Sequence, residues 1–194
     1  MMYEPKNYDR LLGTPGFSDQ LFKNHFVLYQ GYVKNANTFR EELRALLEQG
    51  KIGTPLYAEL KRRFAWEYNG IRLHEYYFEN MVKERTTLAE GSELSKKISE
   101  EFGGYDVWEK DFKAVGAMRG IGWVVLYYDP QSREFFNVWV NEHDMGHLAG
   151  AVPLLVLDVF EHAYTLDYGL KKADYVEAFF KAIDWGVVEK RFWK

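Results

Sequence analysis

Asp158 and His162 stand four residues apart, with Glu161 between them, directly after the apolar run Pro153-Leu-Leu-Val-Leu157. If the chain turns from strand into helix near Asp158, the carboxylate and the imidazole face one point, and together they form half of a metal site. His25 and His74, far upstream, are expected to supply the other half. The chain has no cysteine, so thiolate sites, disulfides and iron–sulfur clusters are excluded. Imidazole and carboxylate remain, a donor set suited to iron, manganese or zinc. A purely structural account competes with this one. Asp158 could be the N-cap of a helix and Glu161 its N3 partner in a capping box, and each histidine could be a hydrogen-bonded core residue. The combination favours chemistry. A carboxylate that ends an apolar strand is costly unless it is paired or binds a metal. The aromatic neighbours of His74 (Tyr76, Tyr77 and Phe78) fit a dry, rigid shell. Three imidazoles and one carboxylate, with a position left for water, make a catalytic site for a redox-active first-row metal.

The elements that must position these residues are helical upstream and mixed downstream. From Ser18, a plausible N-cap, Leu21, His25, Leu28, Tyr29, Tyr32 and Val33 recur at helical spacing. Gly31 suggests close packing or a site at that point, and Asn35-Ala-Asn37 is expected to interrupt or bend the helix. Helical pattern returns over Phe39–Gln49, with Gly50 as C-cap. Thr54 and Pro55 open a second helix, expected to reach about Lys83, with Gly70 loosening it locally. Two long antiparallel helices joined by a short turn form a hairpin, an architecture that hosts metal sites between facing helices. Further helices are expected over Gly91–Glu101 and Tyr105–Met118. Strands follow at Gly122–Tyr128 and Glu134–Val140, joined by the turn Asp129-Pro-Gln-Ser132, and at Pro153–Leu157. Helices close the chain at Glu161–Tyr168, Asp174–Ile183 and from Trp185 onward. The fold class is therefore α+β: an N-terminal antiparallel helical hairpin (residues 1–86) and a C-terminal α/β domain (residues 87–194) with a small three-stranded antiparallel sheet.

Composition narrows the function classes. The 194 residues are 47% hydrophobic and 18% aromatic, with six Trp, enough for a thick aromatic interior. Net charge is -4 and there is no dense Lys/Arg run, which argues against nucleic acid. No segment reaches the roughly 18–20 apolar residues of a membrane span. The N-terminus lacks the apolar core of a signal peptide. A cytoplasmic protein is the expectation.

The stretch Asp158-Val-Phe-Glu-His-Ala-Tyr-Thr165 resembles the metal signature of the iron/manganese superoxide dismutases, Asp-x-Trp-Glu-His-Ala-Tyr-Tyr. Tyr32-Val33 with Asn35-x-Asn37 is similar to that family's first-helix motif, His74-Glu-Tyr-Tyr-Phe78 to its second-helix motif, and Gly122-Trp123 to the start of its first strand. Asp174–Phe180 and Asp184-Trp185 look like its closing helix and turn. The resemblance implies His25, His74, Asp158 and His162 as ligands of one iron or manganese ion per chain, with solvent as the fifth ligand. Iron is preferred, with use of either metal admissible. It implies disproportionation of superoxide to oxygen and hydrogen peroxide by alternate reduction and oxidation of the metal. Tyr32 would stand at the substrate gateway and relay a proton, and Trp123 and Phe160 would wall the site. Lys172 would supply positive charge where the family has Arg, without the bidentate geometry. Glu161 would bond the partner's His162 in a homodimer, or in a tetramer built from dimers. A different mononuclear non-haem metalloenzyme, hydrolase or oxygenase, on the same scaffold is the alternative reading.

The departures are informative. His25 and Tyr32 are seven residues apart where the family mostly has eight. Seven residues on an ideal helix keep both side chains within about 20° of one face, so this helix is expected to lack a one-residue bulge. Gly70 stands four residues before His74, where a glutamine that bonds the metal's solvent ligand is often found. His143, in Val140-Asn-Glu-His-Asp144, is expected to take over that contact from the sheet half, with His147 four residues beyond it. Leu28 or Tyr29 replaces an upstream histidine and Thr165 replaces the last Tyr of the signature, so both ends of one intersubunit bond have changed together.

Overall fold

The computed structural model describes residues 2–193. Helix α1 runs from Asp19 to Glu48 and α2 from Pro55 to Glu79. Each starts at a side-chain cap: Ser18 Oγ accepts from the Leu21 amide, and Thr54 Oγ1 from the Tyr57 amide. Proline at the first position of α2 gives up an amide that has no intrahelical partner there. The buried face of α1 (Leu21, Phe22, His25, Phe26, Tyr29, Val33, Ala36) repeats at three and four residues, and it packs on α2. α1 is α-helical throughout, with no π-turn between Ser18 and Asn37, so His25 and Tyr32 share one face by simple helical spacing.

The expected break at Asn35–Asn37 does not occur. Asparagine competes with a helix by bonding its own backbone. Here Asn37 exchanges hydrogen bonds with both backbone groups of Tyr3, and Asn35 donates to Glu67. α2 stops at Glu79, short of Lys83, because Asn80 turns the chain. Its amide nitrogen donates to the carbonyl oxygens of Tyr77 and Val156, and its Oδ1 accepts from the Val156 amide.

Downstream come α3 (Glu93–Phe102), α4 (Tyr105–Ala117), β1 (Gly122–Asp129), β2 (Glu134–Asn141), β3 (Val152–Asp158), α5 (Thr165–Tyr168), α6 (Lys172–Lys181) and α7 (Trp185–Phe192). The sheet is antiparallel with order β2-β1-β3. Its register sets Trp123 opposite both Val140 and Asp158. The expected helix Glu161–Tyr168 is two pieces, a 3-10 turn over Glu161–Ala163 and the single-turn α5, because Tyr164 leaves helical geometry at φ -145. One hydrophobic core runs from α1 and α2 through the sheet to α6 and α7. Arg191, buried, locks the hairpin to the sheet by donating to the carbonyl oxygens of Leu154 and Tyr76. Among the described residues no helix is long and apolar enough to cross a membrane.

Candidate metal centre

Four residues converge where the hairpin meets the end of β3. His25 comes from α1, His74 from α2, Asp158 from the last position of β3, and His162 from the 3-10 turn that follows. One ligand atom from each lies within 4.8 Å of all the others. His25, His74 and Asp158 are fully buried. Three Nε2 atoms surround one carboxylate oxygen: those of His25 and His162 lie 3.1 Å from Asp158 Oδ2, and that of His74 lies 3.7 Å away. The other oxygen, Oδ1, accepts from the Phe160 amide at 2.8 Å. This local turn fixes the carboxylate and delivers His162 to the same point. Asp158 therefore serves a turn as well as the cluster, and it caps no helix.

The proton inventory shows what the protein alone leaves unsatisfied. A carbonyl only accepts, so His74 Nδ1, 2.6 Å from the Gly70 carbonyl oxygen, must carry the proton. Burial holds the His74 pKa well below its ordinary value. The imidazole is thus neutral, and a bare Nε2 lone pair faces a carboxylate oxygen. That nitrogen has no hydrogen-bond partner, nor has His25 Nδ1. Burial lowers the His25 pKa as well, against the pull of the Asp158 hydrogen bond. Burial tends to raise the Asp158 pKa, but the imidazoles of His162 and His25 outweigh it and hold the group far below the ordinary carboxylate range. Lone pairs and an anion converging without enough protons are repulsive by themselves. A cation at their centre removes the conflict, so the donor set fits iron or manganese.

The pH consequence follows. An unfolded histidine takes up a proton near pH 6.5, while native His25 and His74 resist it until lower pH. The unfolded state therefore binds more protons below about pH 6.5, and native stability falls as the pH drops. Asp158, with its native pKa lowered, adds loss in the same direction at more acid pH. Thermal unfolding of chelator-treated protein from pH 8 to 4 is expected to show a flat midpoint above about pH 6.5 and a declining one below. A midpoint that rises on acidification would overturn this account of the cluster.

Around the cluster stands a wall of rings. Trp123 meets His74 edge-on at 5.0 Å, and Phe160 stacks on His162 at 5.1 Å. His143, fully buried, stacks on Phe160 at 4.8 Å and meets Tyr32 edge-on at 4.9 Å. Its hydrogen bonds define its tautomer. Trp123 Nε1–H donates to Nδ1 at 3.0 Å, which leaves Nδ1 bare and the proton on Nε2. Nε2–H then donates to Tyr32 Oη at 2.8 Å. Burial lowers the His143 pKa to about 4, so this neutral form persists at physiological pH. The Tyr32 hydroxyl is held protonated by burial and by the Asp158 charge.

One sequence-based expectation needs revision and another becomes more specific. Lys172 lies within the electrostatic reach of Asp158 without bonding it: its Nζ donates to the Met118 carbonyl oxygen at 2.8 Å and lies over the Trp139 ring. Gly31 is not a close-packing point, since a Cβ there would meet nothing within 4 Å. The glycine with that role is Gly70, which the helical pattern marks only as a weak spot. A Cβ on Gly70 would come 2.5 Å from Tyr32 Cδ1. Sequence reading also assigns no site role to Trp66, whose ring meets His143 edge-on at 4.9 Å and carries Arg63 over it. The signal was present: Trp66, Gly70 and His74 repeat every four residues on α2 and form one stripe facing the site. Glu161 is exposed, and Thr165 Oγ1 turns back to the Glu161 carbonyl oxygen.

Comparison with known proteins agrees with this geometry. The family described as iron/manganese superoxide dismutases, C-terminal domain, matches residues 90–191. The chain is 38% identical to superoxide dismutase [Mn] 2 of Haloferax volcanii, across 99% of this chain and 96% of that one. It is 36% identical to superoxide dismutase [Mn] of Haloarcula marismortui and 36% identical to superoxide dismutase [Fe] of Aquifex pyrophilus, in each case across 98% of this chain and 91% of the relative.

Proposed function

The chain belongs to the iron/manganese superoxide dismutase family, and we propose that it holds one iron or manganese ion on His25, His74, Asp158 and His162. It is a superoxide dismutase: one superoxide leaves as oxygen, and a second, with two protons, leaves as hydrogen peroxide. The observation that carries the ligand assignment is the bare His74 Nε2, buried and partnerless, aimed at the ionised Asp158. A metal held on His25, His74, Asp158 and His162 would supply the one-electron redox chemistry. Relatives named for manganese and for iron are similarly close, and reconstitution with each metal in turn, with activity per metal atom, decides between iron and manganese use.

The protein's own groups supply protons and exclude water. Because His143 Nε2–H points at Tyr32 Oη, the tyrosine oxygen is already an acceptor and its own proton is free for a ligand in the site. Tyr32 thus has a proton to give into the site, and His143 keeps it oriented. Trp123 fixes the His143 tautomer, while Phe160 and Trp123 close the wall. Lys172 contributes its charge to the field drawing in an anionic substrate and touches none of the ligands. Glu161, exposed beside His162, is the residue through which a homodimer would form. A division of the chain at residues 86 and 87 and a cytoplasmic location belong to the same proposal.

Tyr32→Phe removes the hydroxyl and keeps the ring. Metal content is expected to stay at one per chain while turnover falls roughly ten- to a hundredfold, at or below the lower end of what a positioned proton donor contributes. Unchanged turnover in the metal-replete variant would remove Tyr32 from the proton path. His162→Ala, by contrast, is expected to bind no metal, which elemental analysis of the purified protein would show.

A further inference from the structure

We infer that His147 is a positioning residue for the reaction: it fixes the main chain of the His143 turn and, through it, the His143 imidazole. The inference rests on the reading of His143 given above. His143 sits in a tight reversal after β2, where Asn141 N donates to Met145 O at 2.8 Å and Glu142 N to Ile121 O at 3.2 Å. Glu142 is left-handed (φ 50), and Gly146 (φ 102) presses so close to β2 that a Cβ there would lie 2.7 Å from the Trp139 carbonyl oxygen. A turn with a left-handed non-glycine residue and so close a backbone approach needs something to hold it. His147 Nε2 lies 2.9 Å from the His143 carbonyl oxygen, which can only accept, so Nε2 carries the proton and donates.

His147 is itself held from behind. The Tyr127 hydroxyl lies 2.8 Å from Nδ1, which is bare in the neutral ring, so the hydroxyl donates to it. The Tyr127 pKa is raised to about 12 by burial, so the hydroxyl keeps its proton. Tyr127 belongs to β1, directly after the register shift between Leu126 and Tyr127. The chain Tyr127–His147–His143 main chain–His143 imidazole–Tyr32 thus couples β1 to the site, and its first two members, Tyr127 and His147, are not among the groups placed at the ligands or the substrate.

Amide hydrogen exchange at Asn141, Glu142 and Met145 and redox titration of the metal-loaded protein test this. His147→Ala is expected to speed exchange at those amides at least tenfold while leaving α1 and α2 unchanged. It is also expected to shift the metal's oxidised-to-reduced ratio about tenfold at a given potential, equal to ~59 mV for one electron. His147→Gln keeps a side-chain N–H at a comparable reach and should restore both. His143→Ala should shift the potential at least as far, and adding His147→Ala to it should change the potential no further. Wild-type exchange and potential in His147→Ala would overturn the inference, as would a His147→Gln variant as altered as His147→Ala. Should His147→Ala fail to hold metal, Tyr127→Phe, which removes one hydroxyl behind His147, carries the test, and wild-type exchange there overturns the proposal. A wild-type potential in His143→Ala would instead overturn the reading of His143 itself.

Discussion

Asp158→Asn is expected to abolish metal binding while leaving the fold in place. The substitution keeps the shape and the Oδ1 acceptor for the Phe160 amide, so the local turn that delivers His162 survives. What it removes is the only anion among the four candidate ligands, and it sets an N–H where a metal would stand. Loss of an outer hydrogen-bond partner alone costs ~10–100-fold in metal affinity, and loss of a charged ligand should exceed that. The same change relieves the metal-free protein. The new amide N–H faces the bare Nε2 of His74, and a fully buried charge is gone. The metal-free variant should therefore unfold at a temperature equal to or above that of metal-free wild type, while the added metal that stabilises wild type does nothing for it. Stoichiometric metal in purified Asp158→Asn would refute the ligand assignment, and a large drop in metal-free stability would show that Asp158 holds the fold rather than a cation.

Much of this arrangement was legible in the chain. The helical hairpin, the three strands and the pairing of Asp158 with His162 follow from patterns with fixed periods: 3.6 residues for the helices, two for the strands, and four between Asp158 and His162; His25 and His74 are assigned to the same site by the family resemblance. The seven-residue interval from His25 to Tyr32 likewise implied an unbulged helix, and α1 is one. What escaped depended on partners distant in sequence. Asn35 and Asn37 look like helix breakers until Glu67 and Tyr3 absorb their amides. Where Lys172 holds its charge is set by the Met118 and Gly120 carbonyl oxygens, more than fifty residues away in sequence. Gly31 and Gly70 are equivalent as helix weak points, and only the Tyr32 ring tells them apart. The tautomer of His143 is set by Trp123, twenty residues away in sequence, and no local pattern records it.

Gly70→Ala isolates that last kind of information in one methyl group. Alanine favours helix over glycine by ~1 kcal/mol, so on propensity alone the substitution should stabilise α2. The site reverses the sign. The added Cβ would lie 2.5, 2.8 and 2.9 Å from three ring atoms of Tyr32, distances no packed side chain tolerates. The His74 Nδ1–H bond to the Gly70 carbonyl oxygen anchors the α2 backbone, and α1 is continuous, so the ring must move. Overpacking of this kind costs ~1–3 kcal/mol, and the displaced hydroxyl would leave the 2.8 Å contact with His143. Gly70→Ala is therefore expected to keep one metal per chain, to lower the unfolding midpoint despite its helix propensity, and to lose at least as much turnover as Tyr32→Phe. The pairing also explains the donor arrangement on this side of the site. With Tyr32 against the α2 backbone, position 70 has no room for a side chain, and the hydrogen-bond donor reaches in from the sheet half as His143. If Gly70→Ala is fully active and more stable, Tyr32 is not held where turnover needs it, and the coupling between a bare helix position and a sheet-derived histidine fails with it.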